Sequence, residues 1–181
     1  MVELATRPAT LIAIAREAIE RKERPQAGHA WDDPWLREIG ACFVTLRLDG
    51  ELRGCVGTVD ARRPLGDDVA NNAFAAAYRD SRFAPVSREE IPRLAVEISL
   101  LSPRTRVPAS SEDEALAALR PEIDGVYLEY GNLSATFLPQ VWENIRDPLE
   151  FLCELRRKAG LPARFWHEDI KLTRYTVEKY R

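Results

Sequence analysis

The sequence predicts an α+β fold built on antiparallel sheet. Three observations carry this reading. Two stretches alternate around short turns, Cys42–Val59 about Asp49-Gly50 and Val126–Leu138 about Gly131-Asn132. Between and around them run segments with helical periodicity. Strands that come in hairpins, interrupted by helices, make antiparallel sheet flanked by helices. The 181 residues suffice for one domain with room for two lobes, and no internal boundary is fixed by the sequence.

Residues 8–24 read as an amphipathic helix, with Leu11, Ile14, Ala15 and Ala18 on one face. Thr6 is its expected N-cap and Pro8 its first turn, and Pro25 and Gly28 are expected to end it. The segment "PQAGHAWDDPW" reads as a loop with two exposed aromatics. A two-residue Asp49-Gly50 turn sets Leu48 opposite Glu51. An unbroken ladder from there pairs Leu46 with Arg53, Val44 with Cys55 and Cys42 with Gly57, all on one face. Phe43, Thr45, Leu52 and Val56 then occupy the other.

Pro64–Asp80 reads as a helix whose alanines at 70, 73, 76 and 77 permit close packing. "SREEIP" resembles a capped helical start, and Leu94–Leu101 a strand. Glu112–Leu119 is a short helix closed before Pro121. The second hairpin puts Val126, Leu128, Tyr130, Leu133, Ala135 and Phe137 on an apolar face. Tyr127, Glu129, Ser134 and Thr136 line the polar one. Pro139 opens a short helix to about Arg146. Asp147-Pro148 starts another, with Phe151, Leu152, Leu155 and Ala159 buried and Gly160 as its left-handed cap. Ile170–Lys179 reads as one closing strand.

Net charge is −3, and Arg53–Arg93 mixes seven arginines with six acids. No basic track marks a nucleic-acid backbone site, so that class is disfavoured. No apolar run reaches membrane-spanning length, and the N-terminus lacks the pattern of a signal peptide. Cys42, Cys55 and Cys153 have no metal-ligand spacing, and only His29 and His167 could supplement them. No metal and no cofactor is therefore expected, and free thiols fit a reducing cytoplasm.

"LRGCVGTV" (52–59) resembles the "LRGC-I/V-G" hallmark of the AMMECR domain family. Further blocks match in order: "CFVTL" (42–46), "NNAFAAAYRDSRFAPVS" (71–87), "VEISLLSP" (96–103), "ATFLPQVWE" (135–143) and "FLCELRRKAGLP" (151–162). The resemblance implies a single domain of two subdomains, the larger including both termini, around a cleft that the hallmark strand faces. It also implies a three-part system with a Memo-like protein and a radical SAM enzyme, acting on an unidentified substrate. The chain lacks the three-cysteine motif of a radical SAM enzyme itself.

Within this frame the candidate binding residues are Arg53, Gly54, Cys55, Gly57, Arg79, Asp80 and Arg82. Gly54 and Gly57 permit close approach, either of a ligand or of the alanine-rich helix. Arg53 needs a partner, with Asp80, Glu97 or Glu129 the candidates, or a ligand anion. Cys55 is the candidate nucleophile, since a nearby guanidinium favours thiolate; a small buried apolar cysteine is the alternative. Arg79 and Arg82 flank Asp80 where a helix ends, which suits capping or carboxylate and phosphate recognition. Asn71 and Asn72 are further candidate polar groups. Phe137 and Trp142 read as packing.

Overall fold

The computed structural model describes residues 2–23 and 31–181. Its helices are α1 (Val2–Arg21), α2 (Leu65–Tyr78), α3 (Glu112–Ala118) and α4 (Pro148–Lys158). The strands are β1 (Ile39–Gly40), β2 (Cys42–Leu48), β3 (Glu51–Gly57), β4 (Arg63–Pro64) and β5 (Leu94–Leu101). They continue with β6 (Thr105–Arg106), β7 (Gly125–Tyr130), β8 (Leu133–Phe137), β9 (Lys171–Tyr175) and β10 (Val177–Tyr180). The chain divides into two compact units, 1–101 with 178–181, and 102–177.

In the first unit a sheet of order β10-β5-β2-β3 carries α2, which packs in turn on α1. Leu11, Ala15 and Ile19 of α1 are buried, as are Val69, Ala73, Ala76 and Ala77 of α2. Val44, Leu46 and Ile98 complete that core from the sheet. The alanine face matters because large side chains would hold α2 away from the strands. A small ladder joins β1 to β4.

The helix α1 starts earlier than expected, and Pro8 lies inside it rather than in its first turn. Proline there removes one intrahelical bond, but the residues around it still form the helix. Lys22 adopts a left-handed φ of 54°, where the helix stops. The expected break at Pro25 and Gly28 lies outside the described residues, as does His29. The two tryptophans of the following segment are not both exposed. Trp35 is buried in a 3-10 turn, Pro34–Arg37. Trp31 lies over Gly66, where a Cβ would come within 2.3 Å of its ring, and its indole N–H donates to Asp67.

The first hairpin turns as predicted, with φ of 52° at Asp49 and 90° at Gly50. Its ladder is not continuous. Leu48 faces Glu51 and Arg47 faces Leu52, but Leu46 then faces Gly54, so Arg53 is the extra residue of a β-bulge. Beyond it Thr45 pairs with Cys55, Val44 with Val56 and Phe43 with Gly57. Cys42, Val44, Leu46, Gly54 and Val56 therefore share the face towards α2. Phe43, Thr45, Cys55 and Gly57 lie on the other. The two glycines remain on opposite faces, as the unbroken register also had them.

Both glycines are filled by the protein itself. A Cβ on Gly54 would sit 2.1 Å from the Ala76 carbonyl oxygen in α2. A Cβ on Gly57 would sit 2.2 Å from the Phe43 ring. Their missing side chains serve helix–sheet and cross-strand packing.

The second unit has a sheet of order β6-β9-β7-β8. The β7–β8 register pairs Val126 with Phe137, Leu128 with Ala135 and Tyr130 with Leu133, as the sequence predicted. Beneath it lie Trp142, stacked on Phe151 at 3.8 Å between ring centroids, with Leu152, Leu155 and Ala159. Asp147 caps α4 by accepting from Glu150 N, and Gly160 has a φ of 85°. Ser111 caps α3 in the same way through Glu114 N. The segment after Pro139 is a 3-10 turn, Pro139–Glu143. The expected closing strand is two strands. β9 pairs with β7, while β10 joins the first unit's sheet beside β5.

The Gly54 contact gives a direct test. Gly54→Ala drives a methyl into backbone and forces α2 off the sheet, a cost of at least about 1–3 kcal/mol. The urea midpoint falls accordingly, whereas Gly50→Ala, in open space but at positive φ, loses only turn strain.

Candidate functional site

The predicted residues of the signature strand and of "YRDSRF" meet at the outer edge of β3, within the first unit. β3 ends its sheet, so one row of its backbone groups has no neighbouring strand. Cys55 N donates to Asp80 Oδ2 at 2.9 Å, and Cys55 O accepts from Arg82 Nη2 at 3.1 Å. Two side chains thus replace an adjoining strand at this residue. Asp80 and Arg82 also form a fork: Nε to Oδ1 at 2.9 Å and Nη2 to Oδ2 at 2.7 Å. Arg82 N adds a bond to Oδ1 at 3.2 Å.

The Arg82 fork, with the backbone N–H of Cys55, holds the Asp80 carboxyl well below the usual carboxylate range. The Asp80 side chain is 6% exposed, that of Arg82 55%. The Arg82 guanidinium is therefore fixed at one edge and open at the other. Its Nη1 has no hydrogen-bond partner among the described residues.

Arg53 takes none of the expected partners. The bulge turns it outward, where it meets Glu90 in a two-bond pair, Nε–Oε1 at 2.7 Å and Nη2–Oε2 at 3.0 Å. Its other donors reach the carbonyls of Ala84 and Pro85 at 2.9 and 3.4 Å. Glu90 also accepts from Ser87 N at 2.7 Å. Arg53 thereby fastens the segment 84–90 to the strand. Asp80 is committed to Arg82 and Cys55, and Glu97 to Arg181.

Cys55 is half-buried, and Thr45 Oγ1 donates to its sulfur at 3.3 Å. The Arg82 guanidinium also lies close enough to the Cys55 side chain to interact with it. Arg79, at the end of α2, is exposed and lies over the Phe74 ring at 5.5 Å, apart from the Asp80–Arg82 fork. Gly54 and Gly57 are packing positions. The three cysteines are free. No group of three or more His, Cys, Asp or Glu side chains able to hold a metal occurs among the described residues.

The AMMECR1 family model matches residues 12–180. The chain belongs to the AMMECR1 family. A Methanothermobacter thermautotrophicus protein is 35% identical over 93% of this chain and 91% of its own length. A Thermotoga maritima protein is 39% identical, covering 83% of this chain and 82% of its own. The crystal structure of an uncharacterized protein from Pyrococcus horikoshii aligns with a TM-score of 0.77 at 34% identity. That alignment covers 94% of this chain and 88% of the other. The family match confirms the resemblance read from the "LRGCVG" segment. No helix among the described residues is long and apolar enough to cross a membrane.

This AMMECR1-family chain also carries a polar cluster that the sequence only hinted at. Asp68 is fully buried and accepts from Cys42 N at 2.9 Å, Thr58 Oγ1 at 2.8 Å and Asn72 Nδ2 at 3.0 Å. Arg63 Nε lies 3.3 Å from it. Asn72 further donates to Cys42 O at 3.0 Å. Burial raises the Asp68 carboxyl above its ordinary value and pushes the Cys42 thiol well up. Asn72 is thus a buried bracket for the start of β2, and Asn71 bonds back to Asp67 O within α2. Asn72 is therefore not an open polar group, whereas Asn71 is half-buried. The acidic pair Asp67-Asp68 at the start of α2 was the available sequence signal, and it reads equally as helix-dipole compensation.

Glu90 supplies a pH test. Its bond to Arg53, aided by Ser87 N, lowers its pKa from 4.5 to about 2. A carboxylate depressed in the folded state contributes stability that is present above the unfolded value and lost as pH falls. The stability gap between wild type and Glu90→Gln should shrink steadily from pH 4.5 to about 2, measured by urea midpoints. A gap constant across that window would show that the pair adds nothing.

Proposed function

We propose that this chain is a cytoplasmic binding component that presents the β3 edge to a substrate or partner protein, beside a Memo-like protein and a radical SAM enzyme. One observation carries the reading. The Arg82 guanidinium is fixed by Asp80 and Cys55 yet its side chain is more than half exposed, while the neighbouring thiol meets the Thr45 hydroxyl and that same guanidinium. A pre-oriented cation beside a thiol with no histidine or carboxylate bonded to its sulfur among the described residues suits recognition better than turnover. Gly54 and Gly57 support this surface from within, and Arg53 holds the adjoining segment in place.

Crosslinked capture from the native host tests it. Wild-type chain should recover a Memo-like protein and a radical SAM enzyme, and Arg82→Gln should recover several-fold less of both. Recovery of neither protein, with or without crosslinking, sinks the proposal.

A second reading rests on the hydrogen bond from Thr45 to the half-buried Cys55 sulfur. It makes Cys55 the centre of covalent or redox chemistry. It requires Cys55 to react with iodoacetamide faster in the folded chain than in the urea-unfolded chain, and Thr45→Val to slow it. A folded rate at or below the unfolded one removes this reading.

A further inference from the structure

The β3 edge has a second pair of outward backbone groups. Thr58 N donates to Cys42 O at 3.0 Å, and Cys55 N donates away from β2 to Asp80. Both fix Phe43–Gly57 and Thr45–Cys55 as the non-hydrogen-bonded pairs of the ladder. The N–H and C=O groups of Cys55 and Gly57 therefore face the free edge. Those of Cys55 are capped by Asp80 and Arg82. Those of Gly57 have no hydrogen-bond partner among the described residues.

Two residues along a strand span about 6.8 Å. The open Nη1 of Arg82, tethered at the Cys55 carbonyl, and the N–H of Gly57 thus lie within one small ligand's reach along the same edge. Both are donors. Among the described residues Gly57 brings no acceptor side chain to the interval, and the Asp80 oxygens are occupied by Cys55 N and the Arg82 donors. Phe43 covers the face of Gly57, leaving its edge as the direction of approach.

We infer that Arg82 Nη1 and Gly57 N–H form a binding station for a single carboxylate group of the ligand. Charge selects the class. Asp80 already offsets Arg82, so the pair is near neutral and offers little to a doubly charged phosphate. A planar monoanion with two oxygens matches one guanidinium N–H and one backbone N–H. The carboxylate can belong to a small acid or to an acidic side chain on an extended peptide that adds to β3 at Gly57. This inference rests on the proposed binding role of the β3 edge and names its ligand.

Titration of the isotope-labelled full-length chain, followed through the Gly57 backbone amide resonance, tests the inference. The probes are sodium acetate, a blocked pentapeptide with one glutamate, and the same peptide with glutamine. Saturating movement of the Gly57 amide with acetate identifies a small-acid site. Movement with the glutamate peptide alone identifies strand addition. In either case Arg82→Lys and Arg82→Gln should weaken binding by about tenfold or more, as loss of a charge-assisted bond predicts. The Cys55 amide resonance reports whether the Asp80 cap survives in each variant. Lysine keeps the charge without the fork, so it guards against a variant that loosens the loop. No response to any probe, an equal response to the glutamine peptide, or an undiminished response in variants with the cap intact overturns the inference. Capture of partner proteins with no carboxylate response would remove this inference and leave the proposed function standing.

Discussion

An edge strand has to do something with its unpaired backbone groups, and the first unit is organised around how β3 does so. Sheet edges left open invite further pairing. Here Asp80 takes the N–H of Cys55 and Arg82 takes its carbonyl, so one carboxylate and one guanidinium stand in for a neighbouring strand. That contact requires α2 to end at Tyr78, so that Asp80 can reach the sheet. It also requires the helix to lie close to β3, which the missing side chain of Gly54 allows.

The bulge at Arg53 belongs to the same arrangement. In an unbroken ladder the arginine would share a face with Leu46 and Val44, in the core. One extra residue moves it outward, where Glu90 and two carbonyls receive its donors. It also places Gly54 rather than Arg53 opposite Leu46, beneath α2. The same one-residue shift carries Cys55 to the face with Thr45. The signature "LRGCVG" thus combines a bulge, two close approaches and one half-buried thiol, which explains its poor content of ordinary strand formers.

Much of this was legible beforehand because it depends on local rules. Asp49-Gly50 and Gly131-Asn132 are turn chemistry, Asp147 is a cap, and Gly160 is a left-handed stop. Each acts within a few residues. Gly54 was correctly open to the alanine-rich helix, because alanines on one face leave room for a strand. The candidate site was half legible. Cys55, Asp80 and Arg82 do come together, whereas Arg79 stands on the Phe74 ring and Asn72 is buried with Asp68. The partner of Arg53 was missed because Glu90 is 37 residues away, in a turn whose position no periodicity encodes.

By itself the sequence determined the α+β class, the hairpins, the Asp147 cap and the family, since alternation, turn residues and motif order are properties of neighbouring positions; the expected Thr6 cap instead lies inside α1. Tertiary structure alone decided the bulge, the pairing of Arg53 with Glu90 and the capping of the Cys55 backbone by Asp80 and Arg82. It also decided that β9 and β10 separate at Thr176 into different sheets. Those outcomes depend on which distant groups compete for the same hydrogen bonds. That competition is settled only when the chain has folded and each buried donor must find an acceptor.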